Sequence, residues 1–225
     1  MECRICIFAA ALLFAAPPTS ATSDEAFRIY ATWNPFDAHD LLEFDNDRLT
    51  VANGRNFWAG SRATMSVAEG VWYWEITYRY FPLGFSDAQT GLAWTNWSVS
   101  DPPGAFGSVA RAVGTNRAGD ILVGGNLLAS IGPVADEAVV RHLLDADTGN
   151  YQVANGGEPW VSATLFPGYF SRTPQFPIVS VRAGAVVTAN FGASAFVYEV
   201  PAGAHPGIYI EYRYDDYIMR DGFEW

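Results

Sequence analysis

The chain has 225 residues, of which 50% are hydrophobic and 16% charged, a composition that is typical of a folded globular protein and excludes intrinsic disorder. Its formal net charge is −11 at pH 7, and a negative field of that size repels phosphate backbones, so we predict no nucleic-acid partner. All 13 basic residues are arginine, which excludes P-loop, Schiff-base and Ser-Lys chemistry because each needs a lysine amine.

Residues 1–21 have the organisation of a secretory signal peptide. Arg4 supplies a positive charge, residues 5–16 (ICIFAAALLFAA) form an apolar run, and small residues at 19–21 suit a signal peptidase. The apolar run is too short for a helix that crosses a bilayer of about 30 Å, so we expect no membrane span. Cleavage after Ala21 removes Cys3 and Cys6, and predicts a secreted or periplasmic protein without disulfides or thiolate metal sites.

The rest of the chain is predicted to be all-β. The clearest strand is 71–80 (VWYWEITYRY), in which alternate side chains lie on opposite faces. The face expected in the core carries Trp72, Trp74, Ile76, Tyr78 and Tyr80. Further strands are predicted at 49–51, 91–94, 121–123, 138–144, 151–153, 178–181, 185–190 and 196–200. Many short strands separated by Gly and Pro favour a sandwich of two sheets.

Four blocks of sequence, in order, resemble the SPRY (B30.2-like) domain in the form common in bacterial proteins. The first comprises residues 33–35 (WNP), 49–50 (LT) and 61–64 (SRAT), and it is similar to "WNPSD…LT…SVRAT" in that family. The second, residues 70–76 (GVWYWEI), is similar to "GKWYWEV", and 91–93 (GLA) stands where the family has "VGIA".

The third and fourth blocks lie in the second half of the chain. Residues 144–149 (LDADTG) followed by 155–156 (NG) resemble the family's "LDLDTG…NG" hairpin. The fourth block resembles "YPAVS…NFG…F.Y..P.G" and consists of 176–180, 190–192, Phe196, Tyr198, Pro201 and Gly203. The resemblance covers about residues 30–207. We therefore predict a SPRY domain over 22–207 and a C-terminal extension over 208–225.

The resemblance implies a bent sandwich of two antiparallel β-sheets with a jelly-roll-like, concanavalin-like architecture. It also implies a binding module without catalytic activity or cofactor, which recognises a protein or peptide through loops at one end of the sandwich. Those loops differ between family members, so the resemblance supplies no binding residues. The segment from 95 to 137 matches the family poorly.

The polar residues offer few candidates for a catalytic or metal-binding site. Glu75 lies on the opposite face of strand 71–80 without a second acidic residue at the neighbouring positions of that face, whereas a glycosidase needs a pair of carboxylates. Residues 145–150 (DADTGN) fail the calcium-loop pattern because Gly149 is fifth and Gly156 is twelfth, so a hairpin turn is expected. His39, His142 and His205 are widely separated, and no G-x-S-x-G motif is present. We predict neither a catalytic nor a metal site.

Aromatic and arginine side chains in the loops are the candidate ligand contacts, because such residues dominate the energetics of interfaces. One group lies between 95 and 117, where Arg111 accompanies the three candidates, and the other lies in 158–173, where Phe166 and Arg172 accompany them. The predicted ligand-binding residues are Trp97, Phe106, Arg117, Trp160, Tyr169 and Phe170. The alternative for each aromatic ring is that it anchors its own loop to the sandwich.

Two other functions remain open at this point. Loop aromatics can stack on sugar rings, so the alternative function is a carbohydrate-binding, lectin-like module. A hydrolase requires a cleft with paired carboxylates formed between neighbouring strands, which the sequence does not reveal.

Overall fold

The computed structural model describes residues 26–81, 85–99, 112–164 and 167–212. The predicted signal peptide, most of the extension beyond 208, and the candidates Phe106, Arg111 and Phe166 lie outside these ranges. The chain divides into two compact units, residues 28–211 and a second unit made of 1–27 with 212–225. In the second unit, the rings of Phe27 and Tyr212 stack with their centroids 5.1 Å apart.

Two sheets form the sandwich in the described part of residues 28–211, which confirms the predicted all-β sandwich of antiparallel sheets. In spatial order, the strands described in the first sheet are β10 (Asn126–Ser130), β9 (Asp120–Val123), β8 (Ala112–Thr115), β7 (Asp87–Trp94), β14 (Gln175–Arg182), β5 (Ala59–Ala63) and β2 (Trp33–Ala38). Those of the second are β13 (Val161–Ser162), β12 (Asn150–Asn155), β11 (Val139–Asp145), β6 (Val71–Arg79), β15 (Val186–Asn190), β4 (Thr50–Ala52) and β3 (Glu43–Asp45).

Three further strands complete the described part of the chain. The short strand β16 (His205–Pro206) runs parallel to the start of β6, and β1 (Phe27–Tyr30) pairs with β17 (Tyr209–Tyr212). The predicted extension beyond 207 therefore begins as a strand. Ile208 is buried, and its carbonyl accepts a hydrogen bond of 2.8 Å from the Ala31 amide. No helix that could span a membrane occurs in the described ranges.

The core between the sheets is rich in aromatic rings. The side chains of Trp74, Ile76 and Tyr78 on β6, and of Tyr80 directly after it, are buried as predicted, whereas Trp72 is only half-buried. Trp33, from the first SPRY-like block, is fully buried, donates its indole N–H to the Leu49 carbonyl at 2.9 Å and packs edge-on against a phenylalanine of the fourth block. The shared motifs thus supply core residues.

Residues 196–200, predicted as a strand, do not form one, and this prediction is wrong. The backbone amides of Val197 and Tyr198 donate to the two carboxylate oxygens of Glu75, each at 2.8 Å, instead of joining a sheet. The segment therefore covers the outer face of β6, where Tyr73 and Glu75 are buried. Glu75 is a hydrogen-bonding acid that holds this covering segment in place.

Strands β7 and β8 approach closely at Gly91, which lies opposite Gly114. A Cβ atom at Gly91 would lie 1.9 Å from the Val113 carbonyl oxygen and 2.7 Å from the Gly114 Cα, both backbone atoms. We expect Gly91→Ala to destabilise the protein by about 3 kcal/mol or more, because the two strands must separate. Gly54→Ala, whose Cβ meets nothing within 4 Å, is the control. Equal urea midpoints for the two variants would contradict this prediction.

Candidate binding surface at one end of the sandwich

The strand registers bring five connections to the same end of the sandwich. Arg182 at the end of β14 pairs with Asp87 at the start of β7, and Val186 at the start of β15 pairs with both Ala52 and Arg79. The connections that meet there are 53–58, 80–86, 116–119, 131–138 and 183–185. The turn that leaves β12 at 156–160 also lies there, because Asn155 pairs with Val140.

This end carries three highly exposed phenylalanine rings, and we call it the phenylalanine end. The exposed fractions are 72% for Phe57, 55% for Phe81 and 72% for Phe85. The loop that holds Phe57 is itself ordered by hydrogen bonds. The buried Asn53 donates its side-chain amide to the carbonyls of Phe57 (2.6 Å) and Val181 (3.2 Å). The Phe57 ring is therefore presented by a loop tied to β14.

Two arginines of this end lie over aromatic rings. The guanidinium carbon of Arg117 is 4.4 Å from the centre of the Tyr80 ring, and that of Arg182 is 4.6 Å from the Trp58 ring. Such cation–π contacts restrict the arginine side chains and leave the guanidinium edges to other partners. Burial raises the pKa of the Tyr80 hydroxyl, so this ring stays neutral beside Arg117.

Asp87 lies between the two arginines. Its carboxylate accepts a hydrogen bond of 3.3 Å from the Arg117 backbone amide and is 3.6 Å from an Nη atom of Arg182. Burial raises the pKa of the Asp87 carboxyl, and the Arg117 amide and the Arg182 guanidinium act in the opposite direction. These groups line a cleft of about 410 Å³, together with Phe85, Ser86, Asn116 and Ala118.

A second cleft, of about 470 Å³, lies at the same end. It is lined by Ser130, Ile131, Gly132, Pro133, Asn155, Glu158, Pro159 and Val161. The loop 131–138 is joined to the loop of the first cleft, because the Val134 amide donates to the Arg117 carbonyl at 2.9 Å, and the Asn155 side chain donates to the Pro133 carbonyl at 3.0 Å. Hydrogen bonds thus link the loops that line the two clefts.

The ligand-binding residues predicted from the sequence divide between the two ends. Arg117 and Trp160 lie at the phenylalanine end, and both are half-buried. The Trp160 ring lies under the guanidinium of Arg141, at 4.6 Å, and edge-on to Tyr73, so it also fixes its own turn to β6 and β11. Arg117 remains a candidate contact, since it lines the first cleft.

The other described candidates lie at the opposite end and are buried. Phe170 is fully buried and packs edge-on against Tyr169 and Tyr151. Tyr169 is 8% exposed, and Trp97 is 6% exposed in a cluster with Ala93, Ala112 and Ile178. In this structure these three rings anchor their loops to the sandwich, which is the alternative that the sequence left open. Arg172, at the same end, has its backbone amide hydrogen-bonded to the Ala146 carbonyl.

Three exposed rings and one arginine of the surface were not predicted: Phe57, Phe81, Phe85 and Arg182. A signal for two of them exists in the sequence, because Phe81 and Phe85 flank Pro82 and Gly84 and so stand beside turn-forming residues. Arg182 ends a strand and gives no such signal. Its position near Arg117 follows from the pairing of β7 with both β14 and β8.

The structure also bears on the carboxylate and histidine candidates. Opposite Glu75 lie Arg141 on β11 and Asn190 on β15, so no second carboxylate flanks it in either paired strand. Within the described ranges, no three His, Cys, Asp or Glu side chains are grouped to hold a metal ion. Residues 145–150 form the expected turn between β11 and β12, with Gly149 at a φ of +74° and the Thr148 amide bonded to the Asp145 side chain.

Neither a family model nor a curated protein matches the chain. Solved structures do match. The SPRY domain of human HERC1 is 15% identical, with a TM-score of 0.57 over 70% of this chain and 96% of that one. The TRIM65 PSpry domain is 15% identical, with a TM-score of 0.55 over 72% and 92%. A human SPRY domain is 16% identical, with a TM-score of 0.54 over 69% and 98%. The chain therefore has the fold of a SPRY domain.

Proposed function

We propose that this protein is a non-catalytic binding module that takes a protein or peptide ligand at the phenylalanine end. The observation that carries the proposal is the presence of three exposed phenylalanine rings at the end of the sandwich that also holds a cleft lined by Phe85, Arg117 and Arg182. Exposed apolar rings cost solvation free energy unless a partner covers them, and aromatic and arginine side chains are the common hot spots of interfaces. The function implied by the SPRY resemblance agrees with this interpretation.

The ordering of the loops supports binding with little conformational cost. The Ala183 amide donates to the Arg55 carbonyl at 2.7 Å, and the Gly184 amide donates to the Asn53 carbonyl at 2.8 Å. Two connections from different parts of the chain, 53–58 and 183–185, therefore hold one another. A surface that is ordered before binding loses less entropy when the ligand arrives. We further propose that the protein is of the bacterial secreted type and acts in the periplasm or outside the cell after removal of residues 1–21.

A carbohydrate ligand is the second candidate, and a different cleft favours it. At the opposite end, a cleft of about 350 Å³ is lined by Thr148, Gly149, Asn150, Ser162, Thr164, Pro167 and Gly168. Hydroxyl and amide groups of this kind can hydrogen-bond sugar hydroxyls. A glycan array probed with the protein tests this candidate. Saturable glycan binding that Asn150→Ala abolishes, without any peptide binding, would replace the first proposal by the second.

The first proposal predicts that the exposed rings are required for ligand capture. Peptides selected against the intact protein from a displayed random library should bind the triple variant Phe57→Ser/Phe81→Ser/Phe85→Ser at least about a hundredfold more weakly, because aromatic hot spots each contribute about 2 kcal/mol or more. The matched control is Phe36→Ser, which removes a ring that is 91% exposed on edge strand β2. Equal loss of binding in the control, or none in the triple variant, would disprove the assignment of this surface.

A further inference from the structure

We propose that the first cleft of the phenylalanine end binds one carboxylate side chain, an aspartate or glutamate, of the ligand segment. This inference rests on the proposed function and names the chemistry of its ligand. Three charged groups line the cleft: the guanidinium groups of Arg117 and Arg182 and the carboxylate of Asp87. With Asp87 ionised, they leave one net positive charge in a chain whose net charge is −11.

That charge selects among ligand groups. A single carboxylate neutralises one net positive charge, whereas a phosphate dianion would leave an excess of negative charge beside the half-buried Asp87. A lysine side chain would add a third positive charge beside the two guanidinium groups, which would repel it. Arginine also suits a carboxylate by shape, because its planar fork can donate two parallel hydrogen bonds to the two oxygens. The cleft therefore favours the acidic side chains of a protein ligand.

Both guanidinium groups are held in place before a ligand arrives. Arg117 lies over Tyr80 and donates from Nη1 to the Ser86 carbonyl at 3.0 Å. Arg182 lies over Trp58, and its contact with Asp87 at 3.6 Å is longer than a hydrogen bond. The Arg182 Nε atom is buried and has no acceptor within the described residues. Asp87 therefore balances the charge of one guanidinium group, and the positive charge of the other is left for a ligand.

The Phe85 ring favours a particular type of residue next to the acidic residue of the ligand. Its ring is 72% exposed and forms a wall of the same cleft. At about 410 Å³ the cleft is of the size that accepts a small ligand or a few side chains, not a folded domain. An apolar residue adjacent to the acid would cover the Phe85 ring while the carboxylate meets Arg117 and Arg182. The motif expected in the ligand is thus an acidic residue beside an aliphatic or aromatic one.

The test uses immobilised hexapeptide sublibraries with mixed residues at five positions and a fixed central Glu, Gln, Lys or phosphoserine, probed with the intact labelled protein. We expect the Glu sublibrary to bind at least about tenfold more protein than the Gln sublibrary, and more than the phosphoserine and Lys sublibraries. Arg117→Gln and Arg182→Gln should each remove the preference for Glu over Gln. Arg48→Gln, which alters an exposed arginine in the β3–β4 turn at the opposite end, should keep it.

The outcomes separate this inference from the proposed function. Phe85→Ser should weaken binding to the Glu and Gln sublibraries alike, because the ring acts on the neighbouring residue. Binding that depends on Phe85 but shows no preference for Glu, or favours phosphoserine, overturns the carboxylate site and leaves the peptide-binding function standing. Absence of binding to every sublibrary overturns both. Thermal melts establish that each variant is folded, and Arg182→Lys, which keeps the charge, should retain part of the preference.

Discussion

Replacement of Glu75 by alanine should lower the free energy of unfolding by about 3 to 5 kcal/mol. The carboxylate is buried and accepts three hydrogen bonds, from the Tyr73 hydroxyl at 2.6 Å and from the amides of Val197 and Tyr198 at 2.8 Å each. Removing the acceptor leaves three donors without a partner, of which the Tyr73 hydroxyl is buried and the two amides are partly buried. A buried unsatisfied donor costs about 1 to 3 kcal/mol, and a partly buried one costs less. Urea denaturation measured at neutral pH checks the value.

The location of the damage distinguishes this explanation from a general loss of packing. In Glu75→Ala, hydrogen exchange at the amides of Val197 and Tyr198 should accelerate more than exchange in strands β7 and β14, because the covering segment loses its anchor. Glu75→Gln keeps an acceptor oxygen, so its exchange rates at Val197 and Tyr198 should lie between those of the wild type and Glu75→Ala. Glu43→Ala, at an exposed position of β3, should change stability by less than about 0.5 kcal/mol. Unaltered exchange at 197 and 198 would refute the anchoring role.

The sequence was sufficient to predict the sandwich because the information that defines it is local. The alternation in 71–80 places one strand, and Asp145 with Gly149 identifies the turn that leads from β11 to β12. The conformation of residues 196–200, in contrast, depends on a long-range contact. Its apolar alternation matches a strand, but its amides bond to a glutamate more than 120 residues away, a contact that no local pattern contains.

The candidate surface was harder to predict, because exposure depends on tertiary packing. Trp97 and Phe170, like the rings of the phenylalanine end, lie in loops. Trp97 and Phe170 are nevertheless buried, whereas Phe57 and Phe85 are exposed. The sequence does not indicate which of the aromatic side chains in the loops are buried against the sandwich. Arg182 and Arg117 meet because β7 lies between β14 and β8 in the sheet, and that order is a property of the topology.

Acid should destabilise the protein through His142, a fully buried side chain on β11. Its ring stacks on Trp74 with the centroids 5.1 Å apart, Nδ1 is 2.7 Å from the Tyr151 hydroxyl, and Nε2 faces the Thr90 hydroxyl at 3.4 Å. The Thr90 hydroxyl in turn is hydrogen-bonded to Tyr78. None of these partners carries a negative charge, so burial lowers the pKa of His142 from 6.5 to about 3.

The direction of the pH effect follows from which state binds the proton. Between about pH 6.5 and pH 3 the unfolded chain protonates His142 while the folded chain keeps it neutral, so the free energy of unfolding falls as the pH falls through this range. From about pH 7.5 to pH 4 the free energy of unfolding should fall by roughly 3 kcal/mol.

Two histidine variants test this explanation. His142→Gln, which cannot titrate, should be less stable at neutral pH and should lack this part of the pH dependence, whereas His205→Gln, at an exposed position, should retain it. Urea denaturation at a series of pH values measures all three proteins, and the difference between curves cancels the contribution of carboxylates such as Asp87. Parallel curves for the wild type and His142→Gln would mean that His142 has the same pKa in the folded and unfolded states, and would refute the lowered pKa of the buried ring.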